Sequence, residues 1–95
     1  MRKYEIMYIV NASLDDEKRQ EVIDGLHNII TNNGGTIDNV DDWGMREFAY
    51  EINHMLKGYY MVVIVSAENN AISEFDRLTR INSNVVRHMI INIEE

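Results

Sequence analysis

The chain has no cysteine and no proline, and only five glycines among its 95 residues. Without cysteine there is no disulfide framework and no thiolate metal site, so packing alone must hold the fold. Without proline the usual linker signature is missing, and a single domain over residues 1–95 is expected, long enough for one modest core. Positive charge is scarce too: 9 Lys and Arg face 16 Asp and Glu, a formal net charge of −7. Affinity for nucleic acid usually comes from many phosphate contacts. A general nucleic-acid binder is therefore disfavoured, and any RNA contact needs a local patch or a basic partner. No apolar run approaches the ~20 residues of a membrane helix, and the opening MRKYE lacks the apolar core of a signal peptide. The expectation is no membrane contact and cytoplasmic residence.

What is present is a long alternating stretch, Trp43 to Val65, that reads as a β-hairpin with a turn-like break at Asn53 to Gly58. Phe48, Tyr50 and Ile52 share one parity, and Glu47, Glu51 and Asn53 the other. The return arm, Tyr59 to Val65, is apolar at both parities and belongs inside a sheet. Before the hairpin, Tyr4, Ile6, Tyr8 and Val10 mark a first strand ending at Asn11. Ser13 with Asp16 three residues on gives a capping-box pattern, and Val22, Ile23, Leu26, Ile29 and Ile30 follow at helical spacing. That helix should stop near Asn33, with Gly34 and Gly35 free to adopt the left-handed cap. Thr36 opens the second strand, and a change of apolar parity between Ile37 and Phe48 predicts a bulge, best placed at Gly44. A second helix is predicted over Asn70 to Asn82, with Ile72, Phe75, Leu78 and Ile81 on one side. Val85 to Ile93 forms the last strand, with Met89, Ile91 and Ile93 on one parity.

Strand, helix, strand, strand, helix, strand closes as an α+β, ferredoxin-like β-α-β-β-α-β fold: a four-stranded antiparallel sheet with both helices on one face. Strands one and three would be central, with the acidic second strand at an edge.

Catalytic chemistry finds little footing. His27, His54 and His88 have no metal-site spacing between them or to carboxylates, and Ser13 suits a helix cap better than a nucleophile. No metal, cofactor or small-molecule substrate is expected, and an enzyme is the least favoured class. The third strand begins KGYYMVVI, which partly resembles the RNP1 signature of the RNA-recognition motif, and MYIVNA in the first strand resembles its companion RNP2. Met61 and Ile64, however, stand where base-stacking aromatics belong, so the plain reading of Tyr8, Tyr59 and Tyr60 is as sheet residues. A free-standing module that binds single-stranded RNA, with loss on replacing Tyr8 or Tyr59, is one alternative. A regulatory ferredoxin-like module with a small ligand is another.

A fuller resemblance runs through Gly44, Arg46, Phe48-Ala49-Tyr50, Ile52 and Lys57-Gly58-Tyr59, with MRKYE at the start and Arg80-Ile81, Asn84-Val85 and Arg87-His88-Met89 near the end. Together these resemble the family of the sixth protein of the bacterial small ribosomal subunit, although Phe48 stands where that family more often has Leu. The resemblance implies a non-enzymatic ribosomal protein that binds the central domain of 16S ribosomal RNA as a heterodimer with the basic eighteenth small-subunit protein. A −7 chain beside RNA makes physical sense if a basic partner neutralises it. Charge and topology then divide the candidates. Arg2, Lys3, Arg80, Arg87 and His88 are candidates for RNA, spread along one side of the first and last strands over some 25 Å at ~3.3 Å per residue. Asp41, Asp42, Trp43, Arg46, Glu47 and Tyr50 are candidates for the partner protein, since aromatics beside charges suit an interface.

Overall fold

A computed structural model describes residues 1–52 and 55–93. The expected turn at Asn53 and His54, and the terminal Glu94-Glu95, lie outside the described residues. The elements are β1 (Arg2–Asn11), α1 (Asp16–Asn32), β2 (Thr36–Ile52), β3 (Met55–Ala67), α2 (Asn69–Arg80) and β4 (Val85–Asn92). The sheet runs β2-β3-β1-β4, antiparallel throughout, so β1 and β3 are central as the apolar pattern required.

Alternation along β1 sends Tyr4, Ile6, Tyr8 and Val10 to one face, where they meet Val63 and Val65 of β3, Ile23, Leu26 and Ile30 of α1, and Phe75 of α2. Each apolar side chain removed from water there contributes roughly 1.5–3 kcal/mol. The helices cover that face, and among the described residues no helix lies on the other face of the sheet.

Several local expectations need correction. Asp15 caps α1, its Oδ1 accepting the Lys18 backbone N–H at 2.8 Å. Ser13 instead donates its hydroxyl to Asn11 Oδ1 at 2.8 Å. The capping-box spacing misled because an acidic residue nearer the helix competes for the same donors and suits the helix dipole better. Of the two cap glycines only Gly34 has positive φ, at 86°. Gly35 answers to space: a β-carbon there would lie 2.7 Å from Ile30 Cγ2 and 3.0 Å from the Ser66 carbonyl oxygen.

The bulge falls where the parity change put it, with a register shift between Asp42 and Gly44 and Gly44 at φ 77°. A second shift, between Ile37 and Asn39, was not foreseen. β3 already begins at Met55, so the return arm starts before the expected break at Gly58 ends. On α2 the residues turned inward are Ala71, Phe75 and Thr79, whereas Ile81 is 71% exposed. Thr79 escapes a hydropathy pattern because its hydroxyl is satisfied by the Phe75 carbonyl at 2.7 Å, which lets a polar residue sit in the core.

One partly buried polar pair makes stability depend on pH. The Tyr8 hydroxyl lies 2.8 Å from His27 Nε2. Burial first, then the charges of Asp42 and Asp24, push the Tyr8 phenol above its ordinary range. It therefore stays protonated and donates to a neutral imidazole. Burial lowers the pKa of His27 from its ordinary 6.5, the nearby Asp24 charge opposing. A base with a depressed folded pKa contributes stability that is complete above its unfolded pKa and is lost as pH falls through the folded one. Urea midpoints should therefore decline as pH drops below about 6.5, and the decline between pH 7.5 and 5.5 should flatten in His27→Gln. An unchanged slope in that variant would remove His27 from the account.

Candidate nucleic-acid and partner interfaces

The strand register sorts the candidate residues by face. Lys3, Glu5, Met7 and Ile9 of β1 lie opposite Ser66, Ile64, Val62 and Tyr60 of β3. Glu5, Met7 and Ile9 also lie opposite Ile91, Met89 and Arg87 of β4. These residues build the open face, the one without helices. It is apolar for a solvent face: Met89, Ile91 and Ile93 are each 44–49% exposed on it. The more apolar parity of β4 thus points outward, and Ile90 packs on the core.

At the β2 side of this face the bulge turns Trp43 toward Tyr60, ring on ring at 6.3 Å between centroids and 10° between planes. Trp43 Nε1 donates to Asp41 Oδ2 at 2.9 Å. The Arg46 guanidinium lies 5.9 Å from the indole centroid, and its Nε donates to the Trp43 carbonyl at 3.2 Å. Phe48 closes the cluster against Tyr60 at 6.1 Å. Asp41, Trp43 and Arg46 therefore form one unit, a charged and aromatic patch at the rim of the open face.

The other partner candidates stand apart from it. Asp42 is opposite Met61 on the helix side, where its Oδ2 accepts the Tyr59 hydroxyl at 2.6 Å and holds that phenol above its usual pKa. Glu47 is opposite Lys57. Tyr50 is 84% exposed. The register splits what looked like one acidic surface into the two sides of an edge strand.

The RNA candidates also divide. Lys3 and Arg87 share the open face, about 20 Å apart along the strands. Lys3 is 3.5 Å from Asp38, whose carboxyl is held below its ordinary pKa by hydrogen bonds from Ser66 first, then Thr36. Arg2 pairs with Ala67 and His88 with Tyr8, both core residues, so these two belong to the helix side. Arg80, at the end of α2, and His88 share one carboxylate: His88 Nε2 is 2.7 Å from Asp76 Oδ1, and Arg80 Nε is 3.0 Å from Asp76 Oδ2. The hydrogen bond from His88, followed by Arg80, lowers the Asp76 pKa. A continuous basic strip on one side is therefore not what the fold builds. Among the described residues, Arg2 and Arg87 are the candidates without an ion pair.

Sequence reasoning missed Arg19, whose guanidinium lies 4.1 Å over the Tyr59 ring. That contact joins α1 to β3 and leaves no short-range signal. The register also takes Tyr8 and Tyr59 out of the stacking surface that MYIVNA and KGYYMVVI suggested, leaving Tyr60 on the open face. Tyr8 is fully buried under the helices, and Tyr59, opposite Val10, lies on the same side. Bases could reach neither ring in the way an RNA-recognition motif requires.

A family model described as Ribosomal protein S6 matches residues 3–92. The structure is similar to the crystal structure of 30S ribosomal protein S6 from Thermotoga maritima, with a TM-score of 0.91 and 29% sequence identity over 96% of this chain and 86% of that one. With the β-α-β-β-α-β order in place and a family match over nearly the whole chain, the protein belongs to the ribosomal protein S6 family: a non-enzymatic, ribosomal-RNA-binding constituent of the small subunit of the cytoplasmic ribosome.

Proposed function

We propose that the chain binds the central domain of 16S ribosomal RNA as a heterodimer with the basic eighteenth protein of the small subunit, each contributing what the other lacks. The observation that carries this reading is how the positive charge is held. Of nine Lys and Arg, Lys3, Lys18, Arg19, Arg77 and Arg80 are already engaged by the chain's own carboxylates. The few that remain make too few phosphate contacts for tight binding alone, since each contact adds only a modest salt-dependent increment. A basic partner supplies the rest. The Asp41, Trp43 and Arg46 patch, with Tyr50 and the outward Met89 and Ile91, offers that partner apolar area rimmed by negative charge, with Asp42 and Glu47 on the reverse of the same edge. Arg87, exposed and without an ion pair among the described residues, leads the RNA candidates, with Lys3 on the same open face. Arg2, Arg80 and His88 lie on the helix side, and Lys3, Arg80 and His88 each give up a carboxylate to meet a phosphate.

The test is binding to a central-domain RNA fragment with and without the eighteenth protein, at two salt concentrations. Tight binding should require both proteins. In the heterodimer, Arg87→Ala should weaken binding several-fold and reduce the salt slope by about one. Reversing Asp41 and Asp42 to Lys should weaken the protein pair by about tenfold or more. Equal RNA binding by the chain alone would overturn the shared-charge reading, and a pair indifferent to the reversals would remove the acidic edge from the interface.

A further inference from the structure

Helices α1 and α2 meet over a groove of about 420 Å³, walled by Val22, Leu26 and Ile29 on one side and Leu78 and Ile81 on the other. Two features of this groove are not explained by packing among the described residues. Ile81, a large aliphatic residue, is 71% exposed at its lip. Gly25, which also lines it, sits within α1, where glycine weakens a helix. A β-carbon at Gly25 would meet nothing within 4 Å, so no internal close approach demands the glycine. Its consequence is that the groove stays open.

Beside it is a second hollow of about 260 Å³, lined by Asp15, Glu17, Lys18 and Glu21. Glu21 belongs to both hollows. Three carboxylates surround one ammonium there, and Lys18 is itself 3.7 Å from Glu21. An apolar groove and an acidic hollow thus lie side by side on the helix layer, away from the open sheet face that carries Trp43.

We propose that this surface docks a basic, amphipathic helical segment of a partner protein, with an aliphatic side chain in the groove and a Lys or Arg one turn along in the acidic hollow. Charge selects the occupant. The carboxylates around Glu21 repel a nucleic-acid backbone, and a neutral apolar segment would leave Asp15 and Glu17 without a counter-charge. Helix-in-groove recognition needs this combination of anchor spacing and complementary rim. The site lies on the helix layer, away from the Asp41, Trp43 and Arg46 patch, and Arg80 borders it next to Ile81.

The experiment titrates the isotope-labelled chain with a 14-residue helical peptide of Leu on one face and Lys and Arg on the other. A control peptide carries Glu in place of each Lys and Arg. Amide shifts should concentrate at Val22, Gly25, Leu78 and Ile81 and saturate. The acidic peptide should bind at least tenfold more weakly, and added salt should weaken the basic one. Gly25→Leu fills the groove and should lower affinity at least tenfold. Gly25→Ala should raise the melting temperature by a few degrees, showing that the position tolerates a side chain. Glu21→Lys alters a residue whose side chain is 62% exposed, leaves the fold intact and should also cost about tenfold. Shifts centred on the open sheet face, equal binding of both peptides, no binding at millimolar peptide, or affinity unchanged in Gly25→Leu or Glu21→Lys would each overturn the proposal.

Discussion

Phe75→Ala should lower the unfolding free energy by about 3–5 kcal/mol, the usual cost of emptying a buried aromatic site. Phe75 is 1% exposed and joins three parts of the structure. Its ring lies 6.5 Å from the Tyr8 ring on the central strand and 6.4 Å from the His88 imidazole on the edge strand β4. Its own helix carries Asp76, which accepts from His88. Removing the ring leaves a cavity between helix and sheet that these neighbours cannot fill without giving up the Tyr8–His27 and Asp76–His88 hydrogen bonds. A domain of this size is stable by only about 5–15 kcal/mol, so the loss is a large share of the total. The urea midpoint should move with an unchanged slope, and the melting temperature should fall by more than roughly 10 °C. A change below about 1 kcal/mol would mean that the helix layer is not seated on this ring.

Phe75 also illustrates how much of the core is legible in the sequence. Its period on α2 and the alternation of Tyr4, Ile6, Tyr8 and Val10 on β1 each follow from one local rule, and together they locate the core. Gly44 is readable because a parity change must be absorbed by an extra residue, and glycine accepts the backbone that results. Errors arise where two local signals compete or where tertiary contacts decide. Asp15 displaces Ser13 as the cap because it stands one residue before the first turn. Ile81 fits the helical period, but α2 ends at Arg80 and the next residue is left largely exposed.

The candidate sites are legible to the same extent. Asp41, Trp43 and Arg46 are neighbours in sequence, and the bulge keeps them neighbours in space. The splitting of Asp42 from Asp41 follows from alternation alone once the register is known. The engagement of Arg80 and His88 by Asp76 does not, because it depends on where β4 lies against α2. That pairing bears on function, since a cation with its own carboxylate must give up that contact to meet a phosphate. Arg87, without such a contact, is the better place to look first.

Gly58→Ala should cost about 1–3 kcal/mol, the range for forcing an extra carbon into a packed site. Gly58 is in the central strand β3, and strand glycines often mark a place where something must come close. A β-carbon here would lie 2.3 Å from Ile9 Cγ2 and 2.8 Å from Phe48 Cζ. The Phe48 ring can swing aside, but Ile9 is 2% exposed and its Cγ2 is fixed directly to its own β-carbon. Relief therefore requires a rotamer change in a packed residue or a shift between β1 and β3. Truncating the obstacle distinguishes this from a general dislike of alanine: Ile9→Ala combined with Gly58→Ala should be less damaging than the two single losses added together. The effect should reach the candidate interface as well. Phe48 packs on Tyr60, and Tyr60 on Trp43, the chain's single tryptophan. The emission of folded Gly58→Ala should accordingly differ from that of the parent, and its affinity for the basic partner should fall. If the variant were as stable as the parent and its tryptophan emission unmoved, Gly58 would be an accident of the strand. The aromatic patch would then owe its arrangement to the Gly44 bulge alone.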